Sequence, residues 1–222
     1  MPHALGFDVY GTLVDVHALV EQLRSFAGDQ AQHLSELWRQ KQVEYAFRRG
    51  LMRNYQDFGV CTAQALTFAL RSLKINLPEA DELRMLSQYL NLPPYSDVVS
   101  GLEILKANGH RVVAFSNGTE KTVHSVLDNA GILSLFSEVI SVDDLKTFKP
   151  DPRVYEYLAE RLGRDKGSVW LVSSNAWDVI GAKSAGLKAA WIRRKEEAVF
   201  DPWEIEPDVV VHDLMELGKA FS

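Results

Sequence analysis

The sequence is short of the groups that announce many common functions. Cys61 is its one cysteine. A lone thiol makes neither an internal disulfide nor a thiolate zinc site, and it suits a reducing compartment. Histidines stand scattered at 3, 17, 33, 110, 124 and 212, none at metal-ligand spacing. Basic residues are in deficit: 24 Lys and Arg against 30 Asp and Glu leave a net charge of −6. That balance argues against a nucleic-acid partner. No apolar run approaches the ~20 residues a membrane helix needs, and Met1-Pro2-His3-Ala4-Leu5-Gly6-Phe7-Asp8 lacks the regions of a signal peptide. A soluble, cytoplasmic protein without membrane or nucleic-acid partners is expected. There is also no GxGxxG, P-loop or HExxH motif.

What is present reads as a globular α/β chain. Apolar residues make up 46% and charged residues 24% of 222, enough for a sizeable core and against wholesale disorder. An apolar run at 4–7 stops at Asp8, followed by the turn residues Gly11 and Thr12. From Val16 to Leu92 the pattern is helical, with helices expected over 16–27, 31–50, 57–73 and 79–92. Pro93-Pro94 ends it. Beyond, strands are expected at 111–115, 138–141, 168–173, 188–192 and 208–211, and helices at 97–108, 119–130, 152–162, 176–185 and 213–220. Alternation of this kind predicts a Rossmann-like parallel sheet flanked by helices. The all-helical stretch is then an inserted four-helix cap subdomain over 16–95, with the catalytic core formed by 1–15 and 96–222.

Ligands of open α/β sheets bind outside the C-terminal strand ends. Four loops lie there, beginning at Asp8, Ser116, about Lys149 and Ser173, and they supply carboxylates, an ammonium, hydroxyls and amides. Asp8 is either a turn aspartate or a carboxylate nucleophile, which needs orientation and a nearby cation to stay ionised. Lys149 is that cation, unless it lies on the surface. Asp178 either complements a helix dipole or acts as a base toward water. Ser116-Asn117-Gly118 is a turn or an anion site at a helix N-terminus. Arg39 pairs with Glu36 on a solvated face in the plainer reading. Cys61 reads as a small buried residue, and Arg193-Arg194-Lys195-Glu196-Glu197 as a solvated loop.

FDVYGT around Asp8, SNG at 116–118, KPDPRVY at 149–155 and SSNAWD at 173–178 together resemble the haloacid dehalogenase superfamily. The likeness spans the chain. Three details look like its L-2-haloacid dehalogenases rather than its phosphatases. Tyr10 stands where the phosphatases carry a second, acidic Asp. The fourth loop has Ser and Asn ahead of one Asp, too few oxygen anions for a divalent cation. WRQKQVEY at 38–45 and YQDFGVCTAQAL at 55–66 look like dehalogenase cap motifs.

The resemblance implies that Asp8 attacks C2 of a 2-haloalkanoate, displacing halide with inversion and forming an ester that water hydrolyses to a 2-hydroxy acid. It implies Arg39, Asn175 and Phe58 as the halide cradle. Ser116, backbone N–H groups and Asn117 would hold the substrate carboxylate. Lys149 would keep Asp8 ionised, and Thr12, Ser173 and Tyr155 would orient that pair and the water, with Asp178 as base. Tyr10, Gln40, Val43 and Trp177 would line the alkyl pocket. Val43 in place of the family's usual Leu, and the small Gly59-Val60 pair, bear on substrate size. No metal and no cofactor are implied, and a homodimer is. Two alternatives share the fold: a magnesium-dependent phosphatase, disfavoured by Tyr10 and Asn175, and a non-catalytic binding protein, which needs no nucleophile, counter-ion and base together. The cations that matter would sit in a closed cleft, so salt should change substrate capture little.

Overall fold

The computed structural model describes residues 2–222. Its core is a six-stranded parallel sheet: β1 (Ala4–Phe7), β2 (Arg111–Ser116), β3 (Glu138–Ser141), β4 (Val169–Ser173), β5 (Lys188–Ile192) and β6 (Val209–Val211). The spatial order is β3-β2-β1-β4-β5-β6. The order reverses at β1, where Phe7 sits opposite Ala114 of β2 and Val172 of β4. The Asp8 amide donates to the Val172 carbonyl at 2.9 Å, so the ladder carries Asp8 to the sheet's C-terminal edge.

Strand alternation sorts the core into two faces. Leu5, Phe7, Val112 and Ala114 pack with α5 (Val98–Ala107), α6 (Glu120–Asn129) and α9 (Leu214–Ala220). Ala4, Val113, Phe115 and Leu171 pack with α7 (Pro152–Leu162) and α8 (Ala176–Ser184). Gly6 lies on the second face, where a Cβ would come within 2.6 Å of Leu158 Cδ2. β1 thus lies flush against α7, which follows Lys149.

Between β1 and α5 run α1 (Val20–Ala27), α2 (Ala31–Met52), α3 (Phe58–Ser72) and α4 (Glu79–Gln88). Asp57 caps α3 by accepting from the Val60 amide at 3.0 Å. Leu34, Trp38 and Ala46 of α2 share a core with Cys61, Ala65 and Leu66 of α3. Trp38 Nε1 donates to the Thr62 carbonyl at 2.9 Å. The two ends of this helical segment run side by side: the Asp15 amide donates to Pro93 O at 2.9 Å and the Tyr95 amide to Leu13 O at 3.0 Å.

The expected strands all form, with small shifts of boundary. The expected 16–27 helix starts only at Val20. The Asp15 carboxylate accepts from the His17 amide at 2.9 Å, a side-chain turn that competes with helix. The expected 79–92 helix ends at Gln88, because the Leu90 and Asn91 amides turn back to Ser87 and Gln88. Cys61 is fully buried, as expected. The 193–197 run is not wholly solvated: Lys195 to Glu197 are exposed, but the Arg194 side chain is only 10% exposed.

Gly101 is where α5 and α9 touch, and a Cβ there would fall 2.3 Å from Leu214 Cβ. Gly101→Ala is therefore expected to cost about 1–3 kcal/mol of stability through overpacking. Urea unfolding would read this as a lower midpoint at unchanged slope.

Candidate active site

The turn after β1 places the first functional groups. The Leu13 and Val14 amides both donate to Val9 O, at 2.9 and 3.1 Å, and Gly11 takes a φ of +86° that side-chain-bearing residues rarely adopt. This tight turn brings Thr12 back over Asp8. Thr12 Oγ1 donates to Asp8 Oδ2 at 2.8 Å. Asn175 Nδ2 donates to the same oxygen at 2.8 Å and Ser173 Oγ at 3.4 Å. Ser173 Oγ also accepts from the Asn175 amide at 3.1 Å.

Lys149 is the centre of the arrangement. It is 1% exposed, which ends the surface reading. Its Nζ donates to Asp8 Oδ1 at 3.1 Å, to Asp178 Oδ2 at 3.0 Å and to the Phe115 carbonyl at 2.9 Å. It also lies 4.3 Å from the centre of the Phe115 ring. Its backbone is fixed as well. The Lys149 amide donates to Asn117 Oδ1 at 2.9 Å, and Asp151 with Pro152 starts α7 just beyond. Asp178, on the first turn of α8, is fully buried, and Tyr155 OH donates to its Oδ1 at 2.7 Å.

Burial alone would lower the Lys149 pKa. Asp178 and then Asp8 outweigh it and hold the ammonium above the ordinary 10.5. Burial pushes the Asp178 carboxyl up from its ordinary value, Lys149 pulls the other way, and Asp8 adds to the rise. Burial and Asp178 raise the Tyr155 phenol well above 10.0. Tyr155 is therefore a neutral donor at pH 7. Tyr10 is also raised, by burial and then by Tyr89, with Arg39 opposing.

Arg39 reaches this cluster from α2. One guanidinium nitrogen donates to the Tyr10 carbonyl at 3.2 Å and the other to Gln42 Oε1 at 2.7 Å. Glu36, its partner in the plainer reading, instead accepts from Gln32. Asn175 Nδ2 lies 3.4 Å from the same Tyr10 carbonyl, so two donors converge beside Asp8. The Phe58 ring lies 5.6 Å from that of Tyr10. Ser116 is fully buried, and its Oγ accepts from the Gly118 amide at 3.1 Å.

The sequence reading placed Gln40 and Asn117 on the substrate. Gln40 is exposed on α2, and the Asn117 carbonyl oxygen serves Lys149. Val43 is half-buried, and Trp177 is half-buried with its ring 5.0 Å from Phe47. Gln42 was missed. It is fully buried, accepts from Arg39 and donates to Thr62 Oγ1 at 2.6 Å, fixing the guanidinium. The signal was helical phase, since 39 and 42 share a face.

The residues do not suit a divalent cation, which wants several oxygen anions. The Lys149 ammonium bridges Asp8 and Asp178, and position 10 supplies a buried phenol. Among the described residues no three His, Cys, Asp or Glu side chains converge for a metal. No helix among them is long and apolar enough to cross a membrane.

A family model for haloacid dehalogenase-like hydrolases matches residues 2–186. The chain belongs to this family. It is 39% identical over 213 residues to an (S)-2-haloacid dehalogenase of Pseudomonas putida, covering 96% of this chain and 93% of the relative. It is 40% identical over 208 residues to haloacetate dehalogenase H-2 of a Moraxella species, covering 94% and 92%. Among solved structures, the L-2-haloacid dehalogenase of Xanthobacter autotrophicus superposes with a TM-score of 0.90 at 32% identity, over 99% of this chain and 98% of that one. A second structure of that enzyme carries chloropropionic acid covalently bound.

Lys149→Met leaves two buried carboxylates without their cation. It is expected to cost about 3–5 kcal/mol at pH 7. The raised lysine contributes stability fully below its ordinary 10.5, and that stability is lost only as pH rises through the higher folded value. The raised Asp178 has the same sign in its own, lower range: its carboxyl holds a proton longer in the folded state, so ionising it costs stability and acidification restores that stability. The gap between variant and native protein should therefore narrow on acidification as the carboxylates take up protons. Urea unfolding at pH 7 and pH 5 measures this.

Proposed function

We propose that this chain is an (S)-2-haloacid dehalogenase, a hydrolase of carbon–halide bonds that converts short L-2-haloalkanoates to D-2-hydroxy acids and halide. The observation that carries this is the meeting of the Arg39 and Asn175 donors beside Asp8, with a raised, buried phenol at position 10 and no carboxylic acid there. A departing halide needs charge stabilisation and no proton. A departing alcohol needs the proton that position 10 does not supply.

The Asp8 carboxylate attacks C2, the carbon–halogen bond breaks, and halide leaves with the electron pair. Arg39 and Asn175 exchange the Tyr10 carbonyl for the halide, with Phe58 closing the apolar edge. Ser116 and the amides before α6 hold the substrate carboxylate. Lys149 keeps Asp8 anionic. Water then attacks the ester carbonyl carbon. Asp178, held by Tyr155 and Lys149, takes a proton from it, and its raised pKa makes it a better acceptor than an ordinary aspartate. The ester bond between Asp8 Cγ and its bridging oxygen then breaks, that oxygen takes the electron pair and the proton held by Asp178, and the 2-hydroxy acid leaves with an oxygen from Asp8. The water oxygen remains in the regenerated carboxylate, whose own proton passes to solvent. Thr12 and Ser173 keep Asp8 aimed. Tyr10, Val43 and Trp177 line the alkyl side. Residues 16–95 act as a cap over a core of 1–15 and 96–222. A homodimer and a cytoplasmic location complete the reading, supported by the family likeness and by the lone thiol.

Halide release from L-2-chloropropionate is expected in the presence of EDTA and is lost in Asp8→Ala. No release, together with magnesium-dependent hydrolysis of a phosphate ester, would establish the phosphatase alternative. A single turnover in ¹⁸O-water should leave the first product unlabelled, whereas labelled product would mean direct attack by water. Arg39→Ala should lose about 10²–10³ in kcat, far beyond the effect of an exposed ion pair.

A further inference from the structure

We propose that Arg194, from the run that reads as a solvated loop, is a positioning residue that clamps the nucleophile turn. It follows β5 at the C-terminal edge of the sheet and folds inward. Its Nη2 and Nε donate to the Thr12 carbonyl at 2.6 and 3.2 Å, and its Nη1 donates to Asp97 Oδ1 at 2.7 Å. The guanidinium lies 4.2 Å from the centre of the Tyr95 ring. Side-chain exposure is 10% for Arg194 and 13% for Asp97.

The Thr12 carbonyl is the reason the contact matters. Thr12 is fully buried, and among the described residues its carbonyl accepts from Arg194 alone. A buried carbonyl without a partner is costly, so the turn would shift to find one. The same residue's hydroxyl holds Asp8 Oδ2 at 2.8 Å and accepts from the Ser174 amide at 2.9 Å. A displaced Thr12 backbone therefore misaims the Asp8 carboxylate and loosens the loop carrying Asn175. Arg194 also ties together both ends of the helical segment. Tyr95 and Asp97 lie on the returning segment that leads into α5, the Tyr95 amide donates to Leu13 O at 3.0 Å, and Asp97 Oδ2 accepts from the Leu214 amide at 2.8 Å.

The planar fork gives the Thr12 carbonyl two donors and the Asp97 carboxylate a third, in one fixed geometry. A lysine ammonium is a compact point charge. Arg194→Lys thus keeps the charge beside Asp97 and gives up the double contact to Thr12. Asp97→Asn is the converse: it removes the charge partner and leaves the grip on Thr12.

The rate measurement rests on the dehalogenase reading. In rapid-quench single turnovers with L-2-chloropropionate, Arg194→Lys is expected to slow halide release by about tenfold or more, because small misplacements of reacting groups are costly. Its KM should stay within about threefold of the native value, since substrate contacts are untouched. Asp97→Asn should lose unfolding free energy and keep its halide-release rate within about threefold. An unchanged rate in Arg194→Lys overturns the proposal. So do equal rate losses in the two variants, which would indicate general loosening. Amide hydrogen exchange at Thr12 and Leu13 tests the clamp without reference to activity. Faster exchange in Arg194→Lys than in Asp97→Asn supports it, and native-like exchange in Arg194→Lys overturns it. Should the native protein release no halide, the dehalogenase reading fails and the exchange experiment alone decides the clamp.

Discussion

One ammonium between two carboxylates governs the catalytic end of this molecule. Lys149 has its charge fully out of water, and such a charge is sustainable only when paired and hydrogen-bonded. Asp8, Asp178 and the Phe115 carbonyl meet that need, and each comes from a different part of the sheet's C-terminal edge. β1, β2, α8 and the segment before α7 must therefore keep their relative positions to within a hydrogen bond. The flush contact of Gly6 with Leu158 and the start of α7 at Asp151-Pro152 are parts of the same requirement.

In the proposed reaction the same triad separates two chemical roles for two similar side chains. Asp8 lies at the rim of the core, with one oxygen on Lys149 and the other held by Thr12 and Asn175. Asp178 is sealed in, and burial raises its pKa. Two carboxylates sharing one cation in different surroundings can serve as nucleophile and proton acceptor without exchanging roles. The family's departure at position 10 fits the same logic. A raised phenol stays protonated and uncharged, so it adds no third negative charge beside Asp8 and Asp178.

Much of this was readable from sequence because period and position carry it. Four residues of apolar run, then Asp8 and a Gly-Thr turn, define a strand end. Alternation of strands and helices beyond Pro94 gives the parallel sheet, and the loops at Ser116, Lys149 and Ser173 follow from the sheet rule. The misses have physical causes too. The α4 boundary at Gln88 rather than residue 92 reflects local turns that leave the apolar pattern unchanged. Gln42, which meets Arg39, has no motif to mark it, and only helical phase sets it on the same side of α2 as the guanidinium; Gln40, expected at the alkyl pocket, lies on a different side and is exposed. Arg194 was illegible: within a five-residue charge run nothing local distinguishes the guanidinium that turns inward. Its partner, a backbone carbonyl far away in sequence, carries no side-chain signal at all.

The side-by-side ends of the helical segment have a consequence for how the chain can be assembled and altered. Asp15 pairs with Pro93 and Leu13 with Tyr95, so the segment leaves and re-enters the sheet domain through one gap. To β1 and β2, which are neighbours in the sheet, the whole segment is a single closed loop. The entropy of closing such a loop grows only with the logarithm of its length, about 0.6 kcal/mol for each doubling. The sheet register is therefore nearly indifferent to how much chain the excursion contains. Helices could be lengthened, shortened or exchanged there without rethreading the strands, leaving the Asp8–Lys149–Asp178 geometry in place while the residues above it change.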